Sequence, residues 1–194
     1  MKIFTGVSAN VWRLGISQGL MMTVMNVNLT NTALVGSLLA PNPWLITLPM
    51  SIQFIAVMMA TIPASLMMGQ YGRRPIFLIG VIMVAIAAFG QAGSILSGNF
   101  LLLVIFSFLL GIGQGIAQFY RYAAADAVDG PEKAKAVSLV LLGGLASAII
   151  GPEIAYRTVD ILPNSLYAGC FIVTGLFQMI AIPIILGLDL PPIK

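Results

Sequence analysis

Histidine is absent from this chain of 194 residues, cysteine occurs once, and charged residues make up only 8% of the sequence. Without histidine the chain has no histidine-ligated metal site, and the single Cys170 forms neither an internal disulfide nor a redox pair. No pair of membrane aspartates and no buried lysine is available for intramembrane catalysis. We therefore expect no catalytic residues, no metal ligands and no cofactor, and we interpret the chain as a non-enzyme. A net charge of only +3 gives no reason to expect a nucleic-acid partner.

Apolar residues dominate instead, at 59% of the chain, with a mean hydropathy of +1.03. No charged side chain lies between Arg13 and Arg73, or between Arg74 and Arg121. A membrane-spanning helix needs about 20 mostly apolar residues, so each gap holds two helices, and two more apolar runs follow. The runs are continuously apolar, which excludes the alternating pattern of membrane strands. The six predicted helices span approximately residues 14–39, 44–68, 76–96, 100–125, 134–155 and 166–188.

These helices predict an all-α membrane protein with a single six-helix domain over residues 1–194. The basic residues predict its orientation, because they resist transfer across the bilayer. With six spans both termini share one side, and nearly all basic residues of the termini and loops fall on that side: Lys2, Arg13, Arg73, Arg74, Lys133, Lys135 and Lys194. Only Arg157 falls opposite. We expect a multi-pass protein of the cell membrane with both termini in the cytoplasm.

Polar side chains inside two of the spans are the candidate substrate contacts. Asn26 and Thr30 share one face of the first helix, together with Thr23. An unpaired amide in hydrocarbon costs several kcal/mol, so this helix is expected to touch neighbours, water or ligand. The fourth helix carries a polar stripe at i, i+4, i+7 and i+8, formed by Gln114, Gln118, Arg121 and Tyr122. As an alternative to substrate contact, the amides hydrogen-bond between helices. The alternative for Arg121 is that its side chain extends to the membrane interface.

The fifth span contains the segment Gly151, Pro152 and Glu153. Proline lacks the N–H that continues a helix, so a kink is expected at Gly151 and Pro152. Glu153 is the deepest candidate carboxylate, and its protonation offers a way to couple transport to a proton gradient. A simple ion pair with Arg157, one turn later, is the alternative.

The segment "ASLMMGQYGRR" between the second and third spans resembles a signature of the major facilitator superfamily of secondary transporters. The family pattern reads Gly-x-x-x-Asp-x-x-Gly-Arg-Arg/Lys, and this chain keeps Gly72, Arg73 and Arg74. It departs at two positions, with Ala64 for the first glycine and Met68 for the aspartate. The departure at Met68 removes one of the two acids that bind the loop arginine in the family.

The resemblance implies a gating latch of Gly72, Arg73 and Asp126, in which an ion pair closes the inner side. Arg74 has no partner in the family pattern, and we expect it to meet lipid headgroups. The segment "GGLASAIIGPEIA" is similar to the fifth-helix signature of antiporter-like members at Gly143, Gly151 and Pro152, although Ala155 and Tyr156 replace two glycines. The fourth helix resembles an Arg-x-x-x-Gly-x-Gly segment, with Ser107 in place of the arginine.

The resemblance further implies a 3+3 inverted repeat that forms one half of a twelve-helix transporter. We therefore expect alternating access with a small solute between two halves. The second half is a second copy of this chain, another chain, or the remainder of a longer protein. A non-transporting membrane scaffold or sensor with the same fold is the alternative. Amides, hydroxyls and one arginine favour an acceptor-rich or anionic solute, whereas the many methionines favour an apolar one.

Overall fold

The computed structural model describes residues 8–130, 132–163 and 165–190. Within these ranges the chain forms α-helices and one short 3-10 turn, Pro43–Leu45, and contains no β-strand. The helices are α1 (Ala9–Leu39), α2 (Leu48–Tyr71), α3 (Arg73–Leu96), α4 (Phe100–Ala117), α5 (Tyr120–Asp126), α6 (Glu132–Thr158) and α7 (Ala168–Leu186). The prediction of an all-helical chain is confirmed.

Five helical segments of the described residues are long and apolar enough to cross a membrane. They are Pro43–Tyr71, Arg73–Leu96, Phe100–Asp126, Glu132–Thr158 and Ala168–Leu186. The first helix, α1, has 31 residues and is also long enough, but it carries more polar side chains than the others. A chain with this many apolar helices is a multi-pass membrane protein, because only helices or closed barrels satisfy the backbone in lipid.

The fourth predicted span differs from the prediction in one respect. A continuous helix was expected over residues 100–125, but α4 ends at Ala117 and α5 begins at Tyr120. Gln118 and Phe119 form a turn between them, where the Phe119 N–H bonds the Ile116 carbonyl in 3-10 fashion at 3.1 Å. The break follows a glycine-rich segment, and glycine lowers helix propensity.

Glycines allow the helices to approach closely. α1 packs most extensively on α6, α2 on α4, and α3 on both α4 and α7. A methyl group at Gly143 of α6 would collide with the backbone oxygen of Gly15 on α1. A methyl group at Gly115 of α4 would lie 2.9 Å from the Val57 oxygen of α2. These contacts follow the small-residue packing typical of membrane helices.

A chain of hydrogen bonds crosses the buried centre of the bundle. Thr32 donates to the Asn28 Oδ1 at 2.6 Å, and Asn28 donates to the Gln91 Oε1 at 2.8 Å. Gln91 in turn donates to the Ser107 Oγ at 3.0 Å. All four side chains are buried, so this network joins α1, α3 and α4 inside the apolar core. Hydrogen bonding between helices therefore accounts for Asn28, and a hydrogen bond within α1 accounts for Thr32.

Polar contacts also close the end of the bundle that carries the α2–α3 turn, which we call the Arg73 end. Arg74 donates to the Leu186 carbonyl and Arg13 donates to the Gly187 carbonyl, both at the C-terminal end of α7. A cation stabilises a helix C-terminus because the carbonyls there lack partners. The expectation that Arg74 has no partner in the protein is therefore wrong, since its guanidinium caps α7, whereas contact of this exposed side chain with lipid headgroups stays a prediction.

Candidate functional site

The turn between α2 and α3 positions the first functional side chains. Gly72 has a φ of +84°, which lies in the left-handed region that glycine adopts without strain. This sharp turn starts α3 at Arg73, whose guanidinium forms an ion pair with Asp126 at the end of α5. Met68, one turn earlier on α2, is buried. The structure thus brings Gly72, Arg73 and Asp126 to one end of the bundle.

A cleft of about 610 Å³ opens beside this ion pair. It lies between α2 and the segment around α5, and its volume falls within the usual range for small-molecule sites. Its lining is formed by Thr61, Ser65, Met68, Gly69, Arg73, Gln118, Phe119, Arg121 and Tyr122. We call it the α2–α5 cleft. Three of the predicted substrate contacts, Gln118, Arg121 and Tyr122, line it together.

Arg121 is the most unusual side chain of the cleft. Its Cζ lies 5.1 Å from the centre of the Tyr122 ring, a cation–π arrangement. Its Nε is buried and has no hydrogen-bond partner among the described residues. Arg121 forms no ion pair with any residue that the structure describes. The neighbouring Tyr120 points elsewhere and packs edge-to-face on Phe77, with ring centres 4.8 Å apart.

The other predicted substrate contacts lie outside this cleft. Gln114 is buried, where it accepts a hydrogen bond from Gln53 at 2.9 Å and donates to the Met25 sulfur at 2.9 Å. Asn26 donates to the backbone oxygen of Ser147 on α6 at 3.1 Å. Thr30 is exposed and bonds the Asn26 carbonyl of its own helix. The predicted stripe of the fourth span therefore separates: Gln114 is buried between helices, and Gln118, Arg121 and Tyr122 line the cleft.

The α6 segment differs from expectation at its carboxylate. Glu153 is exposed and accepts a hydrogen bond from Arg157 at 2.6 Å, so the burial on which proton coupling depends is not found at this side chain. Gly151 packs against Asn26. α6 remains helical through Pro152. The kink at this proline stays a prediction.

Two polar lining residues were not predicted from the sequence. Thr61 and Ser65 belong to α2 and face the cleft opposite Gln118 and Arg121. Their spacing of i and i+4 within an apolar helix was a visible signal, since it places two hydroxyl groups on one face. Gln53 lies eight residues before Thr61 and continues that face, but its amide is buried against Gln114.

A second cavity of about 540 Å³ lies between α1, α6 and α7. It is lined almost entirely by apolar side chains, including Trp12, Leu142 and Phe177, and Thr23 and Ser147 are its few polar contributors. It offers no charged side chain to a ligand. The α2–α5 cleft is therefore the better candidate site for a polar solute.

Comparison with known proteins agrees with this architecture. Residues 14–194 match the family model of the Major Facilitator Superfamily. The chain is also 33% identical over 190 residues to a protein of Brucella anthropi named riboflavin transporter RfnT. That match covers 98% of this chain and 48% of the relative, so the chain spans about half the length of the relative. A family of membrane transporters supports the interpretation as a non-enzyme. With its apolar helices, its Arg73–Asp126 ion pair and this match over nearly its whole length, the chain belongs to the Major Facilitator Superfamily.

Proposed function

We propose that this chain is one six-helix half of a secondary transporter that moves a small solute by alternating access. The α2–α5 cleft carries the proposal, because it gathers hydroxyl, amide, aromatic and cationic groups in one opening of small-molecule size. Membership of a transporter family supports transport as the activity. In this proposal Gln118, Arg121 and Tyr122 contact the solute, and the Arg73–Asp126 ion pair with Gly72 closes the Arg73 end, which faces the cytoplasm.

Helix packing supports an inverted repeat within the half. An exchange of the first three spans with the last three replaces α1 by α4, α2 by α6 and α3 by α7. Under this exchange the α1–α6 contact becomes the α4–α2 contact, and the α3–α4 contact becomes the α7–α1 contact. The α3–α7 contact is its own counterpart under this exchange. A 3+3 arrangement of this kind places the path of the solute between the two halves.

The exposure of α2 and α6 supports a second half. In an apolar stretch of 18 residues within each span, only 22% is buried for the span that contains α2 and 28% for α6, against 56% for α3. We propose that a second copy of this chain covers these two helices as a homodimer. The alternative is a different six-helix half, on another chain or in a longer protein. Native mass spectrometry in lipid nanodiscs distinguishes them: two copies per particle support the homodimer, and one copy contradicts it.

The solute is proposed to be riboflavin or a related flavin. The relative named riboflavin transporter supports this choice. A flavin ring is planar, with several carbonyl and ring-nitrogen acceptors, and suits a cleft with the Phe119 and Tyr122 rings and the Gln118 amide. Asn26, Thr30 and Gln114 are proposed to contact the solute only in another conformation of the cycle, because none of the three lines the α2–α5 cleft in this one.

Riboflavin fluorescence tests the proposal directly. Purified protein in lipid is titrated with riboflavin, and uptake into proteoliposomes is measured over a range of concentrations. We expect quenching on binding, saturable uptake, and roughly tenfold weaker binding in Tyr122→Ala, because an aromatic contact is lost. Tyr156→Ala is the matched control, since Tyr156 is exposed on α6 and lies outside the α2–α5 cleft. Absence of both binding and uptake would contradict riboflavin as the solute.

A further inference from the structure

We infer that the α2–α5 cleft is an oxyanion site, in which Arg121 binds a phosphate-type group carried by a larger molecule. Two arginines, Arg73 and Arg121, belong to the lining of the cleft, and none of the described lining residues is acidic. Arg73 is neutralised by Asp126 across the helix ends. One positive charge, on Arg121, is left without a counter-ion.

That charge is costly in its present surroundings. The Arg121 Nε is buried and unpartnered among the described residues, and Met68 adds an apolar surface to the same cleft. The Arg121 side chain as a whole is half-buried, so the cost falls on its shielded N–H: a buried N–H without an acceptor costs free energy, and a guanidinium cannot remove that cost by losing its proton. The Tyr122 ring offsets only part of it. A bound oxyanion supplies both the counter-charge and the missing acceptors.

Neighbouring side chains leave donors free for such an anion. Ser65 and Gln118 line the same cleft, and neither side chain donates a hydrogen bond to the described part of the chain. The Thr61 hydroxyl donates to the Val57 carbonyl at 2.8 Å, so it is not available as a donor. The guanidinium fork of Arg121, the Ser65 hydroxyl and the Gln118 amide thus form a donor set suited to phosphate oxygens.

The size of the cleft indicates that the anion is part of a larger molecule. A volume of about 610 Å³ greatly exceeds what a free phosphate ion fills. The Phe119 and Tyr122 rings, with centres 6.0 Å apart, give the remainder of such a molecule aromatic surfaces to contact. Two sources share this chemistry: a phosphorylated solute and the headgroup of an anionic lipid. Binding of a phosphorylated solute rests on the proposed function, whereas binding of a lipid headgroup does not.

Riboflavin and its 5′-phosphate ester form a matched pair of probes, because they differ only in the phosphate group. Both are titrated by fluorescence quenching into purified protein, in nanodiscs of phosphatidylcholine and in nanodiscs that also contain phosphatidylglycerol. The variants are Arg121→Gln and Arg121→Lys, with Arg157→Gln as the control for loss of an exposed arginine. Inorganic phosphate is added in a parallel thermal-unfolding series, against sodium chloride at matched ionic strength.

We expect the phosphate ester to bind wild type more tightly than riboflavin, and Arg121→Gln to remove that preference. The loss is expected to be roughly tenfold or more, as for a charge-assisted hydrogen bond. Arg121→Lys retains part of the preference because it keeps the charge but not the fork, and Arg157→Gln retains all of it. Phosphate should raise the unfolding temperature of wild type but not of Arg121→Gln.

The remaining outcomes separate the two proposals. If phosphatidylglycerol stabilises wild type but not Arg121→Gln, and abolishes the effect of added phosphate, the headgroup is the source. If riboflavin fails to bind while phosphate still acts through Arg121, the proposed solute is wrong and the oxyanion site stands. If riboflavin binds but its ester gains nothing, and phosphate has the same effect on wild type and Arg121→Gln, the oxyanion site is wrong.

Discussion

Arg73 at the start of α3 and Asp126 at the end of α5 form an ion pair between residues 53 positions apart in the chain. The Arg73 side chain is only 11% exposed, whereas Asp126 is 51% exposed. The described residues contain one other ion pair, Arg157–Glu153 on α6, with exposures of 74% and 56%. Water weakens the attraction between exposed charges. The stabilisation by the shielded tertiary pair, Arg73–Asp126, can therefore be compared with that by the exposed local pair, Arg157–Glu153.

A double-mutant cycle should separate these pairs. For Arg73→Gln and Asp126→Asn we expect a coupling free energy of about 1 kcal/mol, because Arg73 is shielded from water. For Glu153→Gln and Arg157→Gln we expect less than about 0.5 kcal/mol. The measurement is thermal unfolding of the purified protein in one lipid. Equal coupling in the two cycles would contradict a special role for the Arg73 pair.

Met68→Asp should change both the cleft and the closure of the Arg73 end. Met68 lines the cleft with Arg73 and Arg121, so a carboxylate there supplies the counter-ion that Arg121 lacks. We expect roughly tenfold weaker binding of riboflavin 5′-phosphate, since anion and carboxylate compete for one cation. Distances between spin labels on the two proposed halves should also shift toward inner closure.

Met68→Leu is the control for this change, because it keeps an apolar side chain of similar volume. It should leave binding and label distances as in wild type. If Met68→Asp behaves like Met68→Leu, the binding of an anion by Arg121 and the closure of the Arg73 end by an ion-pair latch are both contradicted.

Gln91→Leu should destabilise the bundle without affecting the cleft. The substitution removes the partner of both Asn28 and Ser107 and leaves their polar groups in the core. We expect a loss of about 1–2 kcal/mol in the free energy of unfolding, with solute binding unchanged where the protein is folded. Gln70→Leu, at an exposed position of α2, should change stability by less than about 0.5 kcal/mol.

Gly143→Ala and Gly144→Ala test how closely α1 and α6 approach. A methyl group at Gly143 collides with the Gly15 backbone oxygen, whereas one at Gly144 lies 3.5 Å from the Met22 Cγ, an ordinary contact. We therefore expect Gly143→Ala to lower the free energy of unfolding by about 1–3 kcal/mol and Gly144→Ala to leave it nearly unchanged. Unfolding curves for the two variants check this, and similar losses at both positions would contradict the packing described.

Particular residues show how far the sequence alone predicts the site. The polar spacing on the fourth span grouped Gln118, Arg121 and Tyr122, which line one cleft in the structure, because residues three or four apart share a helix face. The same spacing included Gln114, which Gln53 of α2 and Met25 of α1 enclose in the structure. Thr61 and Ser65 had the spacing of a polar face, but only the packing of the helices places that face in one cleft with Arg121.

The order of residues is enough to predict a bundle of membrane helices, because long uncharged runs in lipid must satisfy their backbone groups internally. It also places two positive charges at the turn with Arg73 and Arg74. The partners of these two arginines follow from the packing of the helices: Arg73 pairs with Asp126 of α5, and Arg74 caps the carbonyl of Leu186 at the end of α7. These partners lie 53 and 112 positions further along the chain, and they become neighbours only when the helices pack.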